Sequence, residues 1–440
     1  MEPAVVLIIC DTLRQDVLDV YGGNARTPFL RKFLRDSVIY RNAIAPSSWT
    51  FPSHVSLFTG LYPKEHGVHE ERNSRLMSLQ RKNGSLKAER LAEYMKSRGY
   101  YTIGLSNNRM VSSFNYFGIG FDAFLSFDPL PSTKARQEVL EAARIGYSPR
   151  DILFRLLKQR KFSEIFKYMV AYYKSERLKR DLDFPLDKGA RNMNDLLKSM
   201  YFDEKTFLFL NLMEMHDPYN KFSLKEQWQD FTGIKKISDR KVNYVKKHYA
   251  LEAEYLDGRL EAIVSTLKNK FDYENSMIII TSDHGQAFKE HGYFLHGDYT
   301  YDELVRVPLI IKYPKSRKFG AKKGYQSLVN IKKLISDIIE GGTDESLTTE
   351  TAFSETFGLM MGLPKEFSFR RQYVNSVHNK LRKSVFKGGF KLTLNGTDGK
   401  VEEFLKGEKP VEKKDFKDEY KDLLNELKIF NGGDRFIFSD

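Results

Sequence analysis

Residues 4–16 read AVVLIICDTLRQD, and the first seven of them form a continuous apolar run that ends at an aspartate. A short apolar run without polar alternation is typical of a strand buried on both faces of a sheet. Similar runs recur at long intervals: YTIGLS (101–106), TFLFLNLM (206–213), SMIIITS (276–282) and VPLIIKY (307–313). Segments of helical character separate these runs, so the sequence predicts an α/β sandwich around a mostly parallel central sheet.

The length of 440 residues exceeds what one hydrophobic core usually serves, so we expect one large domain with a smaller appended unit. We place the large domain at 1–365. Within it, about 130–200 shows charge-rich helical periodicity without a strand signal, which predicts a helical insert that forms either a lid or an oligomer contact. Residues 366–440 contain Gly-Gly and Asn-Gly pairs between short alternating runs, and a helical pattern near the end. This segment predicts a small C-terminal α+β unit with an antiparallel sheet and a closing helix.

Cysteine content and hydropathy predict a cytoplasmic protein. The single Cys10 lies inside the first strand, which excludes a disulfide framework and fits a reducing compartment. The longest apolar runs are far shorter than the roughly 20 residues that cross a bilayer, and Met1 leads directly into the first strand. We therefore expect no membrane span.

The formal net charge of +13 and the pI near 9.3 favour anionic partners. Lys and Arg are intermixed with Asp and Glu along the chain, and no known nucleic-acid-binding signature is present. We therefore expect an anionic small-molecule or head-group ester as substrate and no nucleic-acid partner. The charge by itself does not identify the ligand.

Polar side chains follow three of the apolar runs. Asp11 comes directly after the first run, Asp283 and His284 follow the run at 276–282, and His216 follows the run at 206–213. In open α/β sheets, ligands bind beyond the carboxyl ends of the strands. A carboxylate there can also simply cap the next helix, but four of the nine histidines fall in the loops after two of these runs. His291 and His296 complete that set.

Two aspartates and a histidine at strand ends suggest a metal site. Asp11, Asp283 and His284 would supply oxygen and nitrogen ligands, which suit Mn²⁺ or Zn²⁺ better than a thiolate site would. These three residues would together hold one divalent ion.

The stretch PSSWTFPSH (46–54) precedes a helical pattern and offers four hydroxyl groups. Thr50 would be the N-cap of this helix in the simplest interpretation, with Pro52 in the first turn. A helix N-terminus also stabilises negative charge on an oxygen, so a metal-coordinated Thr50 could attack phosphorus or sulfur. The stretch alone does not separate these alternatives.

Taken together, the motifs resemble in order the blocks of the sulfatase branch of the alkaline phosphatase superfamily. They are VVLIICDTLRQDVLDVYGG, TPFLRKFLRDSVIYRNAIAPSSWTFPSHVSLFTGLYPKEHGV, MHDPY, IIITSDHGQAFKEHGYFLHGD and ELVRVPLIIKYP. The similarity covers about 4–125 and 205–315, and the tail from 380 is similar to the small C-terminal sheet and helix of that family. The resemblance implies an alkaline-phosphatase-like three-layer sandwich. The segment 130–200 has no counterpart in it.

The resemblance also implies roles for individual residues. It makes Asp11, Asp283 and His284 metal ligands, Thr50 the nucleophile and a fourth ligand, and His216 a contact to the transferred group.

Further roles follow from the same resemblance. Asn107 and Arg109 would bind substrate, His54 would take the place of an arginine in the same pocket, and His296 would assist the leaving group or bind a non-bridging oxygen. His291 is expected either at this site or behind a ligand, orienting it.

The departures from the family pattern favour phosphorus over sulfur. Typical sulfatases carry a Cys or Ser that is oxidised to formylglycine, and Thr50 cannot become that aldehyde. A threonine sulfate lacks the route by which an aldehyde hydrate expels sulfate, whereas a threonine phosphate can be attacked at phosphorus. Asp11-Thr12 and Asp283-His284 also replace more acidic calcium ligands, which favours Mn²⁺ or Zn²⁺ over Ca²⁺.

We therefore expect a metal-dependent hydrolase of phosphodiesters or phosphonate monoesters with a covalent intermediate on Thr50. The first alternative is a sulfatase that works without formylglycine. A phosphoglycerol- or phosphoethanolamine-type transferase and a non-catalytic binding protein on the same scaffold are further alternatives.

Overall fold

A computed structural model describes residues 2–69, 88–126, 186–202, 204–219, 222–319, 323–360, 362–433 and 436–438. The strands are β1 (Val5–Cys10), β2 (Val38–Tyr40), β3 (Ala43–Ile44), β4 (Tyr101–Ser106), β5 (Ala123–Ser126), β6 (Thr206–Leu212), β7 (Met277–Thr281), β8 (Ala287–Phe288), β9 (Phe294–Leu295), β10 (Leu309–Lys312), β11 (Tyr325–Ser327), β12 (Thr348–Thr349), β13 (Thr351–Phe357), β14 (Leu381–Lys387), β15 (Phe390–Asn395), β16 (Val401–Lys406) and β17 (Lys409–Pro410).

Helices connect and flank these strands. The α-helices are α1 (Pro28–Phe33), α2 (Thr50–Thr59), α3 (Pro63–His66), α4 (Leu91–Ser97), α5 (Ala190–Ser199), α6 (Leu224–Phe231), α7 (Asp239–Lys268), α8 (Asp302–Val305), α9 (Ile331–Ile339), α10 (Arg371–Val377) and α11 (Lys417–Asn431). Short 3₁₀ turns occur at Gln15–Val17, Asp19–Tyr21, Ser113–Asn115, Pro314–Ser316, Leu328–Asn330, Glu345–Leu347 and Lys365–Arg370.

Seven strands form the central sheet in the order β2-β10-β7-β1-β6-β4-β5. β1 pairs in parallel with both β6 and β7, and β4 pairs in parallel with β5 and β6. β10 is antiparallel to its neighbours β7 and β2. The predicted mostly parallel sheet is therefore confirmed.

Strand β1 explains the continuous apolar run. Val6, Ile8 and Cys10 pack into the core on one face of the sheet. Val5, Leu7 and Ile9 pack into the core on the other face. Because alternate side chains point to opposite faces, a strand covered on both sides needs apolar residues at every position.

The parallel strands bring their carboxyl ends to one edge of the sheet. The register pairs Cys10 with Leu212 and Ile9 with Thr281, so β1, β6 and β7 end at nearly the same level. The amide of Asp11 continues this pattern by donating to the carbonyl of Leu212 at 2.9 Å. Residues that follow these strands are thereby gathered at one edge.

The C-terminal part forms a five-stranded antiparallel sheet, in the order β13-β14-β15-β16-β17, covered by α11. Gly388 and Gly389 form the tight turn between β14 and β15, and both have positive φ (59° and 83°). Such angles suit a two-residue hairpin and glycine adopts them without steric cost. The Asn-Gly pair at 395–396 likewise begins the turn between β15 and β16.

The antiparallel sheet includes β13, which lies before residue 366 in the chain. The predicted domain boundary at 366 stays a prediction. β13 also reaches the central domain, because the amide of Glu355 donates to the carbonyl of Pro46 at 3.0 Å. Most of the predicted insert at 130–200 lies outside the described residues; within it, α5 forms the helix at its end. No helix in the described ranges is long and apolar enough to cross a membrane.

Candidate functional site

Asp11, Asp283 and His284 lie together at the carboxyl edge of the sheet. Asp11 directly follows β1, and Asp283 and His284 follow β7, which is the neighbour of β1. One potential ligand atom from each lies within 4.8 Å of the others, and all three side chains are fully buried. The predicted grouping of these three residues is present in the structure.

One oxygen of each carboxylate accepts no hydrogen bond, although Oδ2 of Asp283 lies 3.4 Å from both Nδ1 of His54 and Nε2 of His284. Oδ1 of Asp283 accepts from the amides of Thr12 (3.2 Å) and His284 (2.9 Å), whereas its Oδ2 is buried and accepts no hydrogen bond. Oδ2 of Asp11 accepts from Nδ2 of Asn108 at 2.6 Å, and its Oδ1 accepts none. Buried carboxylate oxygens without a donor are costly. The arrangement therefore fits a bound cation.

His284 has the tautomer that a metal ligand needs. Its Nδ1 donates to the carbonyl of Gly285 at 2.8 Å, which leaves the lone pair on Nε2 directed toward the two carboxylates. Two carboxylates and one imidazole form a hard, mixed oxygen and nitrogen donor set. Within the described part of the chain, this is the one group of three or more acidic, His or Cys side chains close enough to share an ion.

Burial disfavours charge on all three ligands in the metal-free protein. Burial, together with the neighbouring Asp283 carboxylate, raises the pKa of Asp11 to about 6. Burial also raises the pKa of Asp283 to about 7 and lowers that of His284 to about 4. A divalent cation would favour ionised carboxylates, so proton binding and metal binding compete at this site.

Thr50 lies at the start of α2 beside the ligands, with its Oγ1 3.1 Å from Nε2 of His284. The simplest sequence interpretation, Thr50 as the N-cap, is wrong: Trp49 occupies the N-cap position and Thr50 is the first helical residue. Its hydroxyl makes no capping hydrogen bond because the side chain turns toward His284. The free amides of the first turn nevertheless place positive partial charge next to this hydroxyl.

His54 lies one turn along α2 and is enclosed by the protein. Its Nδ1 is 2.9 Å from the carbonyl of Thr50, and its Nε2 is 3.1 Å from Nδ2 of Asn211. Burial lowers the pKa of His54 to about 3, so the ring is neutral. Both ring nitrogens have partners inside the protein, which contrasts with the predicted role of His54 in binding substrate. The partner Asn211 was missed, although it is the one amide within the apolar run of β6.

His216 and His296 approach each other at the same edge, with ring centroids 5.3 Å apart, and His296 lies 4.6 Å from His284. Nδ1 of His216 is 2.8 Å from Oδ1 of Asp217. Burial alone would lower the pKa of His216, but the Asp217 carboxylate raises it to about 10. His216 is therefore held as a cation.

His296, in contrast, is held as a neutral ring. Its Nδ1 lies 2.7 Å from Oε1 of Gln286, a residue that the sequence did not single out. Burial and the neighbouring His284 lower the pKa of His296 well below its usual value. A neutral ring that donates from Nδ1 to Gln286 presents an unprotonated Nε2.

In the loop after β4, Asn108 donates to the carboxylate of Asp11, a contact that the sequence did not predict. The substrate contacts expected of Asn107 and Arg109 stay predictions. The Asn107 side chain faces Gly189, and its amide atoms have no hydrogen-bond partner among the described residues. Arg109 is exposed. Adjacent asparagines after a strand look alike in sequence, and only the course of the turn decides which one points at the ligands.

His291 lies away from this site. Its ring stacks on Tyr301 with centroids 4.1 Å apart, and its Nε2 is 3.6 Å from Oε2 of Glu303. It contacts none of the three ligands, so neither role expected for it at the site is present.

Two residues with positive φ border the site. Thr12, directly after Asp11, has φ 60°, and Leu295, directly before His296, has φ 136°. The left-handed conformation is costly for a β-branched residue and persists where surrounding contacts enforce it. Two hydrogen bonds hold Thr12: its amide donates to Oδ1 of Asp283, and the Tyr249 hydroxyl donates to the carbonyl of Thr12 at 2.5 Å.

Most of the chain matches a known protein family. Residues 3–340 match the family model described as Sulfatase. An uncharacterised sulfatase of Escherichia coli (strain K12) is 23% identical over 338 residues, covering 72% of this chain and 64% of the relative. An arylsulfatase of Clostridium perfringens is 19% identical over 376 residues, covering 77% of this chain and 75% of the relative. The chain thus spans about two thirds to three quarters of the length of these relatives.

Solved structures share the fold at low sequence identity. A phosphonate monoester hydrolase of Agrobacterium radiobacter aligns with a TM-score of 0.55 and 17% identity, covering 89% of this chain and 87% of that one. A protein solved with its substrate D-glucosamine-2-N,6-O-disulfate aligns with a TM-score of 0.63 and 14% identity, covering 98% of both chains. The alkaline-phosphatase-like α/β fold expected from the sequence is therefore confirmed.

Proposed function

This chain belongs to the sulfatase family, and on that premise we propose that it hydrolyses phosphoric esters, either phosphodiesters or phosphonate monoesters, through a covalent intermediate on Thr50. The family match supports the coarser statement that the protein is a metal-dependent hydrolase of sulfate or phosphate esters. The finer proposal depends on which atom Thr50 can attack and later release.

The observation that carries the proposal is the position of the Thr50 hydroxyl. It lies 3.1 Å from His284 at the first turn of a helix, inside the cluster of metal ligands. This hydroxyl lies next to the ring nitrogen of His284 that would bind the ion, so it is close to the position at which an ion would lower its pKa. A buried hydroxyl with this setting is suited to act as a nucleophile.

Asp11, Asp283 and His284 would hold one divalent ion, and we propose Mn²⁺ or Zn²⁺ because an imidazole among few carboxylates disfavours Ca²⁺. Such an ion supplies Lewis acidity, which lowers the pKa of a hydroxyl and polarises an ester oxygen. Asn108 fixes the orientation of the Asp11 carboxylate.

In the first step, the Thr50 hydroxyl loses its proton to solvent, its oxygen forms a bond to phosphorus, and the bond from phosphorus to the oxygen of the leaving alcohol breaks. His216, kept cationic by Asp217, neutralises charge on the phosphoryl oxygens and can give its Nε2 proton to the leaving alcohol. The family resemblance implied that second role for His296. The geometry favours His216 for it, because the neutral His296 donates its proton to Gln286.

In the second step, the oxygen of a water molecule forms a bond to phosphorus, the bond from phosphorus to Oγ1 of Thr50 breaks, and Thr50 takes a proton back from solvent. The unprotonated Nε2 of His296 is placed to accept a proton from that water. The cationic His216 thus gives one proton and the neutral His296 accepts the other, in keeping with the opposite surroundings of the two rings.

Sulfate ester hydrolysis is the second candidate, and the family match together with the disulfated sugar bound by the similar solved structure favours it. Its difficulty is the threonine. A sulfate on Thr50 could leave only by attack of water at sulfur, since no aldehyde hydrate is available to expel it.

Parallel kinetics on aryl phosphodiester, aryl phosphonate and aryl sulfate substrates, with Mn²⁺, Zn²⁺ and Ca²⁺ added separately, test the proposal. We expect the highest kcat/KM on a phosphorus ester with Mn²⁺ or Zn²⁺, and a loss of at least about a thousandfold in Thr50→Ala. Thr50→Ser is the matched control, because it keeps the hydroxyl. A higher kcat/KM on aryl sulfate would favour the second candidate, and full activity in Thr50→Ala would refute the nucleophile.

A further inference from the structure

The loop after α6 and the segment formed by the 3₁₀ turn Lys365–Arg370 and α10 expose apolar side chains beside basic ones. Phe369 is 72% exposed, Ile234 is 43% exposed and Tyr373 is 36% exposed. The two segments are in contact: Nε of Arg370 donates to the carbonyl of Thr232 at 2.8 Å. Gly233 also lies against the ring of Tyr373. The three apolar side chains therefore belong to one part of the surface.

Basic side chains continue this surface onto α7. Lys235, Lys236, Arg240 and Lys247 are exposed, and none of them forms an ion pair within the described ranges. We call these four residues, together with Ile234, Phe369 and Tyr373, the basic-apolar surface. Asp239 and Glu366 are exposed on the same segments, so four basic side chains stand against two carboxylates and the surface keeps a positive charge.

The α7 part of this surface lies at the edge of the sheet that carries the functional site. The hydroxyl of Tyr249 contacts Thr12 just beyond β1, whereas Thr266, near the other end of α7, bonds to Asn194 on α5. The helix thus runs from the carboxyl edge toward the amino edge. Its first ten residues, about 15 Å at the usual helical rise, extend beyond the strand ends.

Ion pairs tie this region to the hairpin that carries part of the site. Nζ of Lys289, between β8 and β9, lies 2.6 Å from Asp230 on α6, and Nζ of Lys246 on α7 lies 3.1 Å from Glu290. The same hairpin joins His284 to His296 along the chain. Whatever binds the basic-apolar surface therefore contacts elements adjoining the site.

We propose that the basic-apolar surface docks the protein on an anionic lipid bilayer. Lysine and arginine side chains are attracted to anionic head groups, and exposed phenylalanine and isoleucine gain from burial at the boundary between head groups and acyl chains. A soluble polyanionic chain would satisfy the charges but would leave the exposed Phe369 without an apolar partner. The combination of both features therefore favours a membrane surface.

Co-sedimentation of the full chain with vesicles tests this proposal independently of any activity. We expect binding to vesicles of equal parts phosphatidylcholine and phosphatidylglycerol at low salt, weaker binding at high salt, and none to phosphatidylcholine alone. The triple variant Lys235→Gln, Lys236→Gln, Lys247→Gln should lower the partition coefficient about fivefold per lysine, or roughly a hundredfold. Phe369→Ser should lower it about tenfold while the charge is unchanged.

The control removes three exposed lysines from the C-terminal unit, in Lys413→Gln, Lys414→Gln, Lys417→Gln. This variant has the same net charge as the test variant and should bind like the unaltered protein. An equal loss in both triple variants would show attraction by overall charge alone and would overturn the assignment. Binding to heparin without binding to anionic vesicles would also overturn it, in favour of a polyanionic chain.

Discussion

Replacing Asp283 with asparagine should stabilise the metal-free protein at alkaline pH. Burial raises the pKa of this carboxyl from 3.8 to about 7 in the folded protein. Because the folded pKa lies above the unfolded one, the ionised side chain costs stability as the pH rises above 3.8, and the cost is complete above about 7. At about 1.4 kcal/mol per pH unit, the full cost is about 4 kcal/mol.

Asparagine is a suitable probe because it removes the charge and keeps an oxygen. That oxygen can still accept from the amides of Thr12 and His284, as Oδ1 of Asp283 does at 3.2 Å and 2.9 Å. Urea denaturation of chelator-treated protein should therefore show Asp283→Asn to be more stable than the unaltered protein by about 4 kcal/mol at pH 8. The gain should fall to about 2 kcal/mol at pH 5, where the folded carboxyl is protonated.

Added Mn²⁺ should narrow this difference in stability. An ion at a concentration of 100 times its Kd stabilises the folded state by about 2.7 kcal/mol, and Asp283→Asn should gain much less, so the advantage of the variant at pH 8 should fall from about 4 to about 1–2 kcal/mol. Asp298→Asn is the matched control, because burial also raises the pKa of Asp298 to about 7 but this residue lies outside the ligand cluster. If metal-free Asp283→Asn is less stable than the unaltered protein at both pH values, the reasoning is refuted. Asp283 would then stabilise the fold as a hydrogen-bond acceptor, and its charge would not destabilise the metal-free protein.

Three further substitutions follow from single contacts. Asp217→Asn removes the charge that raises the pKa of His216 to about 10, so the alkaline limb of the kcat/KM profile should move to lower pH; a limb that stays in place would contradict the role of His216 as a cation. Asn108→Ala frees the carboxylate of Asp11 to rotate and should weaken metal affinity about tenfold in a direct titration, and unchanged affinity would count against it. Gly189→Ala places a methyl group 2.8 Å from a side-chain amide at φ 124° and should lower the free energy of unfolding by about 1–3 kcal/mol, measured by urea denaturation.

Much of the central fold was predictable because it depends on short-range patterns. Apolar runs at 4–10 and 206–213 correspond to Val5–Cys10 and Thr206–Leu212, and the absence of alternation correctly indicated burial on both faces. The hairpin turn at Gly388 and Gly389 was equally visible, because a positive φ at two successive residues strongly favours glycine.

The grouping of the three candidate metal ligands was predictable for a related reason. Parallel strands end at a common edge, so Asp11, Asp283 and His284 had to converge once their strands were assigned to neighbouring positions. Local pattern could not choose between Asn107 and Asn108, because the direction of a side chain after a strand depends on the turn that follows.

The sequence by itself determined the class of fold, the buried strands and the residue types available at their ends. The tertiary structure alone decided which atoms meet: the Thr50 hydroxyl turns to His284 instead of capping its helix, and His54 is enclosed by the chain. It also decided that His216 is charged and His296 neutral, since Asp217 faces one and Gln286 the other. The physical reason is that strand and helix periodicity arise from neighbouring residues, whereas protonation and hydrogen bonding depend on groups brought together from distant parts of the chain.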